Sequence, residues 1–288
     1  MIRIAYFGYR SWAIQILNQL IKEIDPNKSS VVYIGIVKYD AGAKIDPNQY
    51  QNLHFVDPKN KEELFKIIKE NKINLALFYG WSWLVPKEIL AAVDCLCLHP
   101  SLLPAYRGGT PWQHQIINGE SEGGLTIFKM AEGIDAGPIL KQRGFSLAGR
   151  LADLFQRLAA NGGAATLEVI RDYEAGQVKF IEQKDLDQYP ARQRFDWRKC
   201  EVKFEALANY LVKDFYNFVR ALDDPYPNCF IPLNQGKKFL IKEVEIIADL
   251  PSGARVFDGS IGSLAAGDGV YLRLWDGQVR VCRYFIEN

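Results

Sequence analysis

The stretch Cys95-Leu96-Cys97-Leu98-His99-Pro100-Ser101-Leu102-Leu103-Pro104-Ala105-Tyr106-Arg107-Gly108-Gly109-Thr110-Pro111 decides how this chain is read. Its first four residues are a short apolar run, the pattern of a strand buried on both faces. A histidine follows at once. Behind it comes a loop dense in Pro and Gly that continues neither strand nor helix. Toward the N-terminus the same strand signal recurs at residues 2–7, Val31–Val37 and Ile73–Tyr79. Helical patterns lie between these strands. Gly8-Tyr9-Arg10-Ser11 reads as a turn, with Ser11 an expected N-cap, and Ala13, Ile14, Leu17, Leu20 and Ile21 follow at helical spacing. Lys59–Glu70 carries an apolar stripe of Leu64, Ile67 and Ile68, and Pro86–Ala92 is a short helix. Strand and helix alternating in this way predict an α/β, Rossmann-like, mostly parallel sheet covered on both faces.

Beyond the loop, Leu125–Met130 and Ile139-Leu140 read as further strands, and Leu151–Ala175 as a long helix. Gln183–Arg194 is polar and irregular, with Tyr189-Pro190 inside it. The chain is therefore divided into a catalytic domain at 1–185, a linker at 186–203 and a C-terminal domain at 204–288. That last part opens with an expected helix, Phe204–Leu222. Frequent turns then separate Lys238–Ile247, Ser252–Phe257, Gly269–Trp275 and Gln278–Phe285. Short strands at this spacing predict a small antiparallel, barrel-like (OB-like) domain. No internal repeat or low-complexity tract is present.

The 288 residues carry a net charge of +1, with 48% hydrophobic and 24% charged residues. This balance gives no general attraction to nucleic acid or to an anionic membrane. Five scattered cysteines, Cys95, Cys97, Cys200, Cys229 and Cys282, read as reduced thiols. Cys95 and Cys97 share one strand face, but only His99 lies near them in sequence, so no metal site is expected. No basic leader precedes the first strand, and no apolar run approaches the roughly 20 residues of a membrane span. A cytoplasmic location is the expectation. The first turn lacks G-x-G-x-x-G, which disfavours a nicotinamide enzyme.

Open parallel sheets bind ligands beyond the carboxyl ends of their strands. Gly8–Trp12, Gly80–Leu84 and His99–Thr110 sit at such ends. Trp12, Trp81, Trp83, Tyr106 and Trp112 lie in or beside them, suited to stacking on a flat heterocycle. A second Gly-bounded turn, Gly133-Ile134-Asp135-Ala136-Gly137, places an aspartate 36 residues after His99. If both turns meet at one end of the sheet, they form a His/Asp acid–base pair.

At these residues the chain resembles a known family. His99-Pro100-Ser101-Leu102-Leu103-Pro104, Arg107-Gly108 and Pro111 form one ordered block. Asn118-Gly119-Glu120, Gly124-Leu125-Thr126-Ile127 and Ile134-Asp135-Ala136-Gly137 follow it. Together they resemble the formyltransferases that use N10-formyltetrahydrofolate, a group with methionyl-tRNA formyltransferase and sugar N-formyltransferases among its members. Phe215–Pro227 is similar to the helix and Pro-rich turn that open their C-terminal domain, so the likeness covers most of the chain. The family places an asparagine two residues before the histidine; here it is Cys97, and a thiol donates only weak hydrogen bonds. The resemblance thus implies Cys97, His99 and Asp135 as the catalytic trio. Gln113, Gln115 and Asn118 are candidates for the missing amide. It also implies N10-formyltetrahydrofolate as co-substrate, lying against Tyr79–Pro86 and the Asp135 loop, with Tyr79, Leu84, Val85, Ile134 and Asp135 as contacts.

The acceptor is an amine. In the tRNA enzyme a basic insertion follows the second strand, whereas Lys38–Lys61 here holds four lysines against Asp40, Asp46 and Asp57, without a basic run. Nucleic acid is therefore disfavoured and a nucleotide-linked amino sugar favoured. Tyr9, Arg10, Ser11, Trp12, Ser101, Tyr106, Arg107 and Gln113 are the candidate acceptor contacts, Arg10 and Arg107 for a phosphate or carboxylate. The Cys-Leu-His-Pro-Ser form resembles that of relatives tied to pseudaminic acid-type nonulosonates. A homodimer is the family's expectation. The alternatives are the tRNA enzyme, a formyltetrahydrofolate hydrolase and a folate-binding homologue without activity.

Overall fold

The computed structural model describes residues 1–38, 45–260, 264 and 269–287. Of the segment read for a basic insertion, residues 39–44, with Asp40 and Lys44, lie outside the described residues. By its internal contacts the chain divides into two units. The first takes Met1–Pro111, Glu122–Ser146 and Phe155–Gln193. The second takes Trp112–Ser121, Leu147–Leu154 and Arg194–Asn288, so it recruits two short stretches from earlier in the chain.

In the first unit the apolar runs become β1 (Ile2–Gly8), β2 (Ser29–Ile36), β3 (Leu53–Phe55), β4 (Leu75–Tyr79), β5 (Asp94–His99), β6 (Glu122–Lys129) and β7 (Ile139–Ser146). They form one sheet in the order β3-β2-β1-β4-β5-β6-β7. The first five run parallel, and β6 and β7 are antiparallel additions. β3, three residues long and largely exposed, has too little apolar patterning for the sequence to reveal it. Strand order reverses between β1 and β4, and at such a switch point the diverging connections leave a crevice.

Both faces are covered. Ala5, Phe7, Ala76, Phe78 and Cys95 pack with Leu64, Ile67 and Ile68 of α2 (Lys61–Glu70) and Ile89 of α3 (Lys87–Ala92). On the other face Tyr6 donates to Ala13 O in α1 (Ser11–Glu23) at 2.6 Å. Tyr79 shares a 3.0 Å hydrogen bond there with Thr166 of α5 (Leu151–Ala175). The adjacent glycines Gly162 and Gly163 sit inside α5, where Gly ordinarily costs about 1 kcal/mol against Ala. Tertiary packing explains Gly162, where a Cβ would lie 2.7 Å from Ile16 Cδ1 and 2.9 Å from Leu98 Cδ1; at Gly163 the neighbour is the end of the flexible Gln19 side chain. Ser11 does not cap α1 as expected. Arg10 holds the cap position, without a side-chain cap hydrogen bond, and Ser11 is the first helical residue.

In the second unit β8 (Cys229–Pro232), β9 (Lys238–Ile247), β10 (Val270–Arg273) and β11 (Gln278–Glu287) form a curled antiparallel half-barrel in the order β10-β11-β9-β8. Phe215, Val219 and Leu222 pack over Phe239, Ile241, Leu272 and Val279 in its core. Two expectations change here. Phe204–Leu222 is not one helix, because Tyr210 and Leu211 are extended; a 3-10 turn at Phe204–Asn209 precedes α6 (Val212–Ala221). Asp276 Oδ1 accepts from Val212 N at 2.7 Å, which satisfies the new helix end. Among the described residues Ser252–Phe257 contributes only the bridge Val256–Tyr271 to the sheet. The short helix α4 (Pro111–Ile117) follows the His99–Thr110 loop, a stretch to which the sequence pattern assigns no element.

Candidate active site

His99 is the last residue of β5 and only 6% exposed. Side chains alternate along a strand, so Cys95, Cys97 and His99 share the face that packs on α2 and α3. Asp135 does not arrive as the sequence suggested. β6 runs antiparallel to β5, with Thr126 opposite His99 and Lys129 opposite Leu96, so β6 ends at the other end of β5. Met130 N donates to Cys95 O there at 2.7 Å. The loop then turns back toward His99, and Asp135 Oδ2 reaches its Nδ1 at 3.3 Å. Asp135 has a left-handed backbone, φ 49°.

The pair is held on every side. Asp135 Oδ2 also accepts from Gly108 N at 2.9 Å. Gly108 must be glycine: its φ is 96° and a Cβ would lie 2.2 Å from Arg192 O. His99 Nε2 lies 2.9 Å from Tyr106 O, and since a carbonyl only accepts, this nitrogen donates. Ser101, fully buried, donates to Ala105 O at 2.6 Å and shapes the turn; Thr126 Oγ1 donates to Ser101 O and accepts from Leu103 N. Burial, together with the Asp135 carboxylate, pushes the Cys97 thiol well above its ordinary range, so it is a neutral, weak donor beside the pair.

Several expected contacts are structural. Arg107, 9% exposed, donates to Tyr189 O through Nε (2.9 Å) and Nη2 (2.7 Å), to Leu186 O (3.1 Å) and to Ile134 O (3.3 Å). Its guanidinium clamps three main-chain carbonyls, two on the 186–189 turn and one at Ile134, instead of offering a fork to an anion. The Tyr79 side chain lies on the α1/α5 face, away from His99, so only its main chain borders the crevice. Trp12 is core. Gln113 is buried in the second unit, with its amide on Ala221 O at 3.3 Å. Tyr106, at φ 58°, presents its ring to the Arg192 guanidinium, 4.8 Å from the centroid.

The switch-point loops are different in kind. Arg10 covers the Tyr9 ring at 4.7 Å and packs its stem on Gly80; Tyr9 Oη and Ser82 Oγ are 2.7 Å apart. Trp81 and Trp83 meet edge to face at 5.2 Å. Ser11 is exposed and Val85 buried, while Leu84 is 85% and Ile134 54% exposed. Trp81 Nε1 and Gln183 Oε1 are buried without a hydrogen-bond partner among the described residues. An exposed aliphatic, Leu84, in the same loop as the unpaired Trp81 Nε1 donor fits a flat, hydrogen-bonding heterocycle such as the pterin of a folate. The sequence missed Gln183 altogether and showed Gly108 and Thr126 as motif positions without a role, because their relevance lies in distant partners. Among the described residues no cluster of His, Cys, Asp and Glu can hold a metal, and no helix is long and apolar enough to cross a membrane.

Comparison with known proteins adds the family. The formyl transferase profile matches residues 5–170, more than half of the chain. A methionyl-tRNA formyltransferase of Caldicellulosiruptor saccharolyticus is 28% identical over 99% of this chain and 92% of its own. One of Streptococcus thermophilus is 30% identical over 64% of this chain, and the match spans 58% of that protein. Among solved structures, a sugar N-formyltransferase from Shewanella sp. superposes with a TM-score of 0.69 at 18% identity, covering 84% of this chain and 97% of that one. The chain belongs to the formyl transferase family, whose formyl donor is N10-formyltetrahydrofolate.

Proposed function

We propose that this formyltransferase moves the formyl group of N10-formyltetrahydrofolate to the amine of a nucleotide-linked amino sugar. The observation that carries the reading is the His99–Asp135 pair at the carboxyl end of β5, beside the switch-point crevice. The donor supplies a formamide-like carbonyl. When the neutral amine adds to it, negative charge gathers on the formyl oxygen; when the C–N10 bond breaks, the formyl group stays on the amine. One proton leaves the amine and one arrives at N10, so the site needs a group that passes a proton between two nitrogens. His99 exchanges Tyr106 O for the substrate, donates Nε2–H to the charged oxygen and passes the proton. Asp135 accepts at Nδ1 and keeps the ring aimed. Cys97 stands where the family has asparagine and leaves the oxygen with one strong donor fewer.

Leu84 and Ile134 form the apolar contact for the pterin, with main-chain groups of Tyr79–Val85. Tyr9, Arg10 and Ser11 face the acceptor, with Arg10 toward its phosphates. A net charge of +1 and the absence of a Lys/Arg run in residues 38–61 support a small acceptor over tRNA. The reading includes a precursor of a pseudaminic acid-type nonulosonate as acceptor and a cytoplasmic homodimer; a monomer by light scattering at micromolar concentration removes the dimer. Formyl transfer, read as product mass, against nucleotide-linked amino sugars, amino-nonulosonate precursors and methionyl-tRNA tests the reading. A formyl gain on one sugar supports it. Gain only on methionyl-tRNA establishes the second reading, which the full-length likeness to a methionyl-tRNA formyltransferase favours. Tetrahydrofolate release without a formylated acceptor indicates hydrolysis.

A further inference from the structure

We infer that Gln183 is a positioning residue for formyl transfer, acting through Asp135. The inference rests on the proposed role of the His99–Asp135 pair. Gln183 Nε2 donates to Asp135 O at 2.9 Å and to Gly137 O at 2.8 Å. Both neighbours are carbonyl oxygens, which only accept, so chemistry fixes the orientation of this amide. One NH2 group thus ties down two carbonyls of the turn that presents the carboxylate. The backbone of Gln183 is anchored independently. Two residues earlier, Ile181 pairs with Ile139 through hydrogen bonds of 2.8 and 2.9 Å, which adds one antiparallel rung beside β7. Arg107 holds the third carbonyl of the turn, Ile134 O, at 3.3 Å.

The turn needs such support. Asp135 sits in a left-handed conformation that costs a non-glycine residue energy and persists only where surroundings impose it. Its carboxylate reaches His99 Nδ1 at 3.3 Å, already longer than a strong charged hydrogen bond. A displacement of a few tenths of an ångström in the main chain at Asp135 would break the pair. Gln183 sets that main chain without contacting His99 itself. Its own Oε1 takes no part, being buried without a partner among the described residues.

Gln183→Met, matched in length and without N–H groups, tests this. With the acceptor that the panel identifies, kcat falls about 100-fold, the scale of a misplaced catalytic group, while KM for N10-formyltetrahydrofolate stays within about twofold. The Asp135→Asn/Gln183→Met double variant is no slower than Asp135→Asn alone, because both losses run through one carboxylate. Proton NMR provides a readout without acceptor: a downfield imidazole N–H resonance that disappears in both His99→Ala and Asp135→Asn shifts or vanishes in Gln183→Met. Gln183→Glu, of equal size but without a donor, replaces the Met variant if that one fails to fold. Unchanged kcat and resonance in a folded variant overturn the inference, as does a double variant whose losses multiply. A wild-type rate in Asp135→Asn, by contrast, overturns the reading of the site itself.

Discussion

In the loop after β5 the polar groups are tied to one another: His99 to Asp135 and Tyr106, Gly108 to Asp135, Ser101 to Ala105, and Arg107 to three carbonyls. In the neighbouring loop after β4, Trp81 and Trp83 stack edge to face, Leu84 stands in solvent and Trp81 Nε1 has no partner among the described residues. The two loops leave adjacent parallel strands at the same end of the sheet. One is preorganised and the other is open. Preorganisation serves groups that must meet developing charge at fixed distance, because nothing then has to reorganise during reaction. Exposed apolar surface serves binding, because it gains when a ligand removes it from water. On this comparison, changes in the first loop alter kcat and changes in the second alter KM.

The largest expected effect is that of His99→Ala, which lowers kcat on the order of 10³-fold while the thermal midpoint and folate binding persist. Steady-state kinetics beside calorimetry check it, and full activity would break the comparison at its root. Arg107→Met comes next. It leaves the carbonyls of Leu186, Tyr189 and Ile134 without their cationic donor, so stability in urea falls by about 2 kcal/mol and kcat falls with it. Unaltered stability would show that the clamp is ornamental. Leu84→Ala sharpens the other half. The residue is 85% exposed, so stability is unchanged, while KM for the donor rises about tenfold at constant kcat. A loss in kcat instead would place this loop in the chemistry. The smallest effect concerns Cys97. Its thiol is pushed up by burial and the Asp135 charge, so its thiolate fraction at pH 8 is very small and grows only as pH rises. Native protein treated with iodoacetamide at pH 8 should carry label at the exposed Cys282 and none at Cys97, read by peptide mass. Cys97 is only half-buried, so its rapid labelling would mean that the thiol is not held neutral.

What the sequence determined by itself is local or periodic. Apolar runs at 2–7, 73–79 and 95–98 specify buried strands because strands covered on both faces need apolar residues throughout. Leu64, Ile67 and Ile68 specify a helix face. His99 stands out because Pro100 follows it at the end of an apolar run, and Asp135 because Gly133 and Gly137 bound its turn; the ordered motif around them carries the family. The exposed Leu84 and Ile134 are visible only as apolar residues in loops. Tertiary structure decided the rest. The antiparallel course of β6 sends Asp135 out at the far end of β5 and returns it along a left-handed turn, which no residue spacing encodes. Arg107 looks like an anion contact in sequence, and becomes a clamp because Leu186 and Tyr189 fold beside it from some 80 residues away. Gln183 looks like one more polar residue in an irregular stretch until its amide meets Asp135 O and Gly137 O. Gly162 lies unremarked within the long helix pattern until Ile16 of α1 packs against it. A side chain's chemistry is written at its own position, but a hydrogen bond belongs to two positions, and only the folded chain says which two.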